Sequence, residues 1–86
     1  MIAKQADELF KKIKLISNKK RFKIIEITQD SNPSITELSS KLQIAYTKCA
    51  DYVTMLEKEG LVTKTKEGKE IKVQSKVKLS ENKVEF

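Results

Sequence analysis

Residues 34–62 read SITELSSKLQIAYTKCADYVTMLEKEGLV, and their spacing decides how the rest of the chain is arranged. The stretch opens with Ser34-Ile35-Thr36-Glu37, a serine with a glutamate three residues on, directly before an apolar helical pattern. Such a pair can satisfy the backbone N–H groups of a first helical turn reciprocally. Leu38 and Leu42 recur four apart, so a helix of about two turns presents a leucine stripe. Gln43-Ile44-Ala45 interrupts it. Cys49, Val53 and Leu56 then fall at i, i+4 and i+7, with Tyr52 beside them. Gly60 stops this longer helix, because glycine takes the left-handed conformation a helix end often needs. A helix of two turns is not stable alone. It persists if Leu38, Leu42 and Ile44 bury against the second helix.

Helix, tight turn and longer helix make a helix-turn-helix, whose second helix can enter a DNA major groove. At about 100° per residue, the face opposite Cys49, Val53 and Leu56 carries Thr47, Asp51, Thr54 and Lys58. Tyr46, Thr47 and Lys48 fall at the N-terminal tip. A helix from Tyr46 to Glu59 spans about 21 Å, enough to lie across a groove. The same periodicity also describes an ordinary helical hairpin with a leucine core, so by itself it leaves function open.

The stretch resembles the winged helix-turn-helix of ArsR/MarR-type transcription regulators. Those chains typically read hydrophobic-x-E-L-A-x-x-L-G-I-S, then a recognition helix, then L-E-x-x-G-L-V. Glu37-Leu38, Leu42, Ile44, Leu56-Glu57 and Gly60-Leu61-Val62 match in order and spacing. Three positions depart. Gln43 stands where glycine is usual, so the turn must place a residue with a side chain. Ala45 replaces a capping serine, which removes one acceptor for a backbone N–H. Asp51 replaces a frequent arginine or lysine. The resemblance runs from about Leu9 to Leu79. It implies DNA binding, with Tyr46, Thr47, Asp51 and Thr54 facing base edges and Lys41 and Lys48 on phosphates. A carboxylate such as Asp51 can accept there from a cytosine amino group.

Before the central stretch, Met1 to Ile16 reads as a helix with an apolar face of Ala6, Leu9/Phe10, Ile13 and Ile16. Lys4, Lys11, Lys12 and Lys14 lie largely off that face. It is either a core helix with a solvated basic side or a dimer helix, since ArsR-like proteins commonly pair through their first and last helices. Ile2 and Phe10 are candidates for apolar surface left over once the core is filled. Ser17-Asn18 is a break with capping chemistry. A second helix over Lys19–Thr28 should turn Phe22, Ile25 and Thr28, flanked by Ile24, to the core. Residues 15–25 again resemble an ArsR pattern, A-L-S-N-P-x-R-L-x-I-L, with Arg21 on the family's arginine. The basic run beside this helix start is a solvated face or a phosphate contact, the first being the plainer reading. Gln29 to Pro33 is a polar loop with a turn signal at Asn32-Pro33.

After Gly60 the hydrophobic period changes from helical to alternating. Leu61–Lys66 and Glu70–Gln74 alternate across a glycine turn at Glu67-Gly68-Lys69, the pattern of a β-hairpin. Its place directly behind the second helix makes it the wing. Lys64, Lys66, Lys69 and Lys72 project from it and are expected on the phosphate backbone, though exposed hairpin edges also carry lysine to block pairing. Lys76–Leu79 is expected to continue or extend the second strand. Ser80-Glu81-Asn82 resembles the L-T-x-x-G that closes the wing in MarR-like chains. The residues beyond leave no length for the long C-terminal helix by which many relatives dimerise, so pairing is expected through the first helix or not at all.

The 86 residues carry 18 Lys+Arg against 12 Asp+Glu, a net charge of +6, which favours polyanionic partners. Residues 34–60 are slightly acidic and both flanks basic. That division suits flanks that hold phosphates around a segment that reads bases. One cysteine and no histidine exclude an internal disulfide and the usual zinc ligand sets within one chain. Metal-sensing ArsR members carry a cysteine pair or His/Asp sets, whereas Glu37–Leu42 holds no thiol here. Cys49, on the inner face, reads as a small buried hydrophobe. No apolar run reaches a membrane span and no signal-peptide core is present, so the chain reads as cytoplasmic. No phosphate-binding glycine loop and no nucleophile–base pair point to an enzyme, and no cofactor motif is found.

The expected fold is mainly α with a small β-hairpin: a winged helix-turn-helix of about four helices and a two- or three-stranded wing. It occupies residues 1–86 as a single domain, with an N-terminal helix at 1–16, the helix-turn-helix at 34–59 and the wing at 61–79. The expected function is sequence-specific binding of double-stranded DNA by a homodimeric transcription regulator. A winged-helix module that binds protein within a larger assembly is the alternative, favoured by the acidic middle segment.

Overall fold

The computed structural model describes the backbone of residues 3–80 and 83–85 and the side chains of residues 9–79. Four helices, α1 (Ala3–Ile16), α2 (Lys19–Ile27), α3 (Ile35–Leu42) and α4 (Tyr46–Lys58), precede the hairpin strands β1 (Val62–Glu67) and β2 (Glu70–Ser75). Two short strands follow, β3 (Lys78–Ser80) and β4 (Lys83–Glu85).

The starts of α2 and α3 are each fixed by a side-chain cap. Asn18 caps α2 by accepting from the Arg21 N–H at 3.1 Å. At α3 the capping box forms in full: the Glu37 N–H donates to Ser34 Oγ at 3.1 Å, and the Ser34 N–H donates to Glu37 Oε1 at 2.9 Å. Helix α4 starts at Ala45 with no side-chain cap, as its sequence implies. It ends in a Schellman closure, with Gly60 N–H to Glu57 O and Leu61 N–H to Leu56 O both at 2.9 Å and Gly60 at φ +75°.

The Ser34 backbone N–H, donating to the carboxylate, is the main reason the Glu37 carboxyl sits below its ordinary pKa of 4.5; desolvation opposes it, and the Ser34 hydroxyl, Lys72 and Lys41 add to the lowering. A carboxyl whose pKa is lower in the folded chain stabilises the fold above its unfolded pKa, and the contribution is lost as pH falls through the folded value. A glutamine can still accept the Ser34 bond but does not titrate. Wild type is therefore expected to melt above Glu37→Gln at neutral pH, with the gap closing as pH drops below 4.5. A gap that stays constant on acidification would exclude Glu37 as the source.

The core forms where α2, α3 and α4 meet the base of the hairpin. Ile24, Ile25, Leu38, Val53, Leu56 and Val73 are fully buried, and Leu61 and Val62 nearly so. On α2 the inward positions are Ile24, Ile25 and Thr28; Phe22, expected there, is half-buried at the rim. The buried Thr28 hydroxyl is satisfied by donating to Ile24 O at 2.7 Å. Cys49 is fully buried, and burial pushes its thiol above the ordinary value of 9.0, so it stays neutral packing material.

β1 and β2 pair antiparallel from Val62↔Ser75 to Glu67↔Glu70, leaving the two-residue loop Gly68-Lys69 with Gly68 at φ +63°. Glycine at the first loop position with positive φ is the II′ pattern, whose twist matches the strands. The outer edge of β2 is not bare. Ser34 makes an isolated antiparallel bridge to Lys72, and the Val73 N–H donates to Pro33 O at 2.8 Å, so the chain entering α3 covers that edge.

The expected extension of β2 through Leu79 does not occur. Ser75 ends the strand: its Oγ accepts from the Val77 N–H at 2.9 Å and donates to Val77 O at 2.8 Å, which turns the backbone and buries Val77. Lys78–Ser80 then pairs with Lys83–Glu85 in a separate antiparallel hairpin. The expected wing closure at Ser80-Glu81-Asn82 lies partly outside the described residues, at Glu81 and Asn82.

Gln29, read only as part of a polar loop, is a brace between distant elements. Its Nε2 donates to Ser75 Oγ at 2.9 Å and Val77 O at 2.6 Å, and its Oε1 accepts from the Leu79 N–H at 3.1 Å. These bonds tie the end of α2 to the base of the hairpin.

Candidate nucleic-acid interface

The tight turn between α3 and α4 aims the second helix. Gln43 sits at φ 55°, ψ 47°, a left-handed conformation that most side chains resist. It is held by the Ile44 N–H bond to Ser39 O at 3.1 Å and the Gln43 N–H bond to Ser40 O at 3.2 Å. Lys20 closes the same end by donating from Nζ to Leu42 O at 2.8 Å. Replacing Gln43 with glycine removes the left-handed penalty but loosens the unfolded chain. The expected net gain is about 0.5–1 kcal/mol, read as a higher urea midpoint. A lower midpoint would mean that the Gln43 side chain contributes more than its backbone costs.

α4 has two sharply different sides. Cys49, Val53 and Leu56 have no exposed surface. Thr47, Asp51, Thr54 and Lys58, on the opposite face, are all exposed, and Tyr46 stands out at the tip. Because Ala45 provides no cap, the first-turn N–H groups of α4 lack a side-chain acceptor. Such a helix start favours a neighbouring anion. Lys41, in the last turn of α3, is exposed beside it.

Lys48 does not wave freely. Its Nζ lies 5.4 Å from the centroid of the Tyr52 ring, one turn along α4. The Arg21 guanidinium approaches the same ring at 5.5 Å, and its Nε donates to Leu15 O at 2.6 Å. Cation–π attraction thus positions both cations on one flank of α4. Arg21 links α1, α2 and α4, so its main work is structural. In the run Lys19–Lys23, Lys20 closes α3 and Lys23 lies 3.7 Å from Glu26. This part of the basic patch is largely bracing.

The hairpin lysines divide in two. Lys66 and Lys69 are exposed toward the tip. Lys64 and Lys72, expected to project toward phosphate, instead turn inward and are half-buried. Lys64 Nζ is 3.3 Å from Glu57 on α4, and Lys72 Nζ is 3.8 Å from both Glu37 and Glu70. These placements have a simple cause. Lys64 shares the inner strand face with Val62, and Lys72 lies beside the entry to α3, so each meets a carboxylate before it meets solvent. Tyr52 as the platform for Lys48 was legible in the i, i+4 spacing but was not singled out. The Arg21 contact to Tyr52 had no local signal.

Residues 17–63 match the family model for winged helix-turn-helix DNA-binding domains. The chain belongs to that winged helix-turn-helix DNA-binding family. Among solved structures it is similar to reduced HlyU from Vibrio cholerae N16961, at 25% identity and a TM-score of 0.78, covering 84% of this chain and 76% of that one. It is similar also to the homodimeric winged helix-turn-helix DNA-binding domain of Mb0332 from Mycobacterium bovis, at 18% identity and a TM-score of 0.78 over 85% of this chain and 68% of that one. An ArsR-like transcriptional regulator from Rhodococcus sp. RHA1 aligns at 23% identity and a TM-score of 0.73, over 85% of this chain and 69% of that one. The last two likenesses speak to the fold alone. No curated protein matches the chain in sequence. Among the described residues, no helix is long and apolar enough to cross a membrane.

Proposed function

We propose that residues 1–86 act as one domain that binds double-stranded DNA sequence-specifically and regulates transcription as a homodimer in the cytoplasm, with no enzymatic activity of its own. The observation that carries this reading is the division of α4 between a fully buried face and a wholly exposed polar one. A helix pinned from behind in this way is free to be inserted into a major groove. Tyr46, Thr47, Asp51 and Thr54 face base edges. Lys41 and Lys48 take phosphates at the ends of the turn, and Lys66 and Lys69 take them at the wing. Lys64 and Lys72 reach phosphate only by leaving their glutamate partners, so they contribute less. Pairing is assigned to the exposed Leu9, Phe10 and Ile13 of α1; the homodimeric state of the Mb0332 domain supports pairing as such. The two halves would then meet half-sites about 34–36 Å apart.

The test is a binding titration across salt on duplexes selected from random sequence. Lys69→Ala is expected to weaken all duplexes by a similar factor and to lower the slope of log K against log salt by about 0.9, the loss of one phosphate contact. Thr47→Ala is expected to relax preference at one base pair, by about 1–3 kcal/mol of discrimination. An unchanged slope with Lys69→Ala removes the wing from the backbone. Failure of wild type to shift any duplex at low salt favours the protein-interaction module instead.

A further inference from the structure

A groove of about 390 Å3 opens between α1 and the C-terminal half of α4, and its Lys58 shares the exposed face of α4 with Asp51 and Thr54. Leu15 and the exposed Met55 form its apolar floor. Lys11 and Lys14 of α1, Arg21 of α2 and Lys58 of α4 surround that floor, with Glu59 as the one carboxylate among the lining residues. The volume lies in the range of about 300–1,000 Å3 typical of small-molecule sites, and the mixture of apolar floor and convergent polar groups is typical too.

The cations are not all loose. Arg21 is held by its Nε bond to Leu15 O and by the Tyr52 ring, which leaves its two Nη groups as oriented donors. A donor already in place loses little freedom on binding, which favours its ligand. An inorganic anion would leave the Leu15–Met55 floor wet, and a neutral apolar molecule would leave the cations unanswered. On the helical wheel Lys11 lies about 160° from both Leu9 and Ile13, whereas Lys14 lies about 40° from Phe10, so pairing through that stripe would run along the Lys14 edge of the groove and leave its Lys11 side clear.

We propose that this groove is a binding site for a small carboxylate with an apolar body, of the medium-chain fatty acid class. The tail covers Leu15 and Met55, and the carboxylate is held by Arg21 with Lys11, Lys14 and Lys58 around it. Occupancy ties α1 to α4, the helix whose outer face carries Thr47, Asp51 and Thr54. The inference does not depend on DNA binding and is measured without DNA.

The experiment is a titration of the full chain with octanoate, followed through the methyl NMR signals of Met55 and Leu15. Octanol and acetate serve as the tail and the charge alone. Octanoate is expected to shift both methyls saturably, with each half-ligand binding at least about tenfold more weakly. Lys11→Glu/Lys14→Glu is expected to weaken octanoate by about tenfold or more, while Lys76→Glu/Lys78→Glu, with the same change of net charge elsewhere, leaves it unaltered. Met55→Glu gives the same loss by charging the floor, and serves should the double variant fail to fold. Four results overturn the proposal: no saturable shift at these methyls, octanol binding as tightly as octanoate, acetate binding as tightly, or equal losses in both charge-reversed pairs.

Discussion

Truncating Leu38 to alanine is expected to lower the free energy of unfolding by about 3 kcal/mol, within the range of about 2–5 for a fully buried leucine. For a domain this small, total stability is on the order of 5–10 kcal/mol, so the loss is a large share of it. Leu38 has no exposed surface and sits in the core where α3 meets its neighbours. α3 has only eight residues, so its helical state depends on that packing and not on its own propensity. The cavity left by alanine cannot be closed by a flexible neighbour, because Ile24, Ile25, Val53, Leu56 and Val73 are themselves fully buried. Urea unfolding followed by circular dichroism reads the change. A loss under about 1 kcal/mol would mean that α3 does not pack as described, and the aim of α4 would lose its footing.

Placing a carboxylate on the outer face of α1 is expected to do the opposite: leave the fold intact and break the pair. Phe10 is 65% exposed, with Leu9 at 47% and Ile13 at 48%, an apolar stripe that the described residues of the chain do not cover. Phe10→Asp would bury a charge in any interface built on that stripe, a cost the interface cannot recover without a cation opposite. The expected results are a monomeric solution mass, an unchanged circular dichroism spectrum, and affinity for a two-half-site duplex reduced by about 100- to 10,000-fold. Affinity for a single half-site stays close to wild type, since α4 and the hairpin are untouched. An unchanged dimer mass would move the interface off α1, whereas a monomeric wild type would remove pairing from the reading altogether.

Local devices were legible without coordinates. Ser34 and Glu37 marked the start of α3, and Gly60 marked the end of α4. The repeat of Cys49, Val53 and Leu56 marked the buried side, and the change to alternation marked the hairpin. The departure at Gln43 was legible as a turn that must place a residue with a side chain; that the residue is left-handed came from the structure. All of these depend on partners within about one or two helical turns or across one tight loop, so residue order alone is enough to specify them.

The destinations of the charged and polar side chains were a different matter. Lys20 reaches a carbonyl 22 residues away, and Gln29 bonds groups 46 to 50 residues away. Lys72 meets Glu37 because the chain entering α3 lies along β2. Arg21 finds Tyr52 because α2 packs on α4. A lysine in sequence is a positive charge with a long reach, and its nearest carboxylate or carbonyl is chosen by packing, not by spacing. Residue order therefore determined the helices, the turn, the hairpin and the side of α4 that is left outward. Tertiary structure alone decided which cations brace the fold and which stay exposed, because that choice depends on distances between elements that no local pattern encodes.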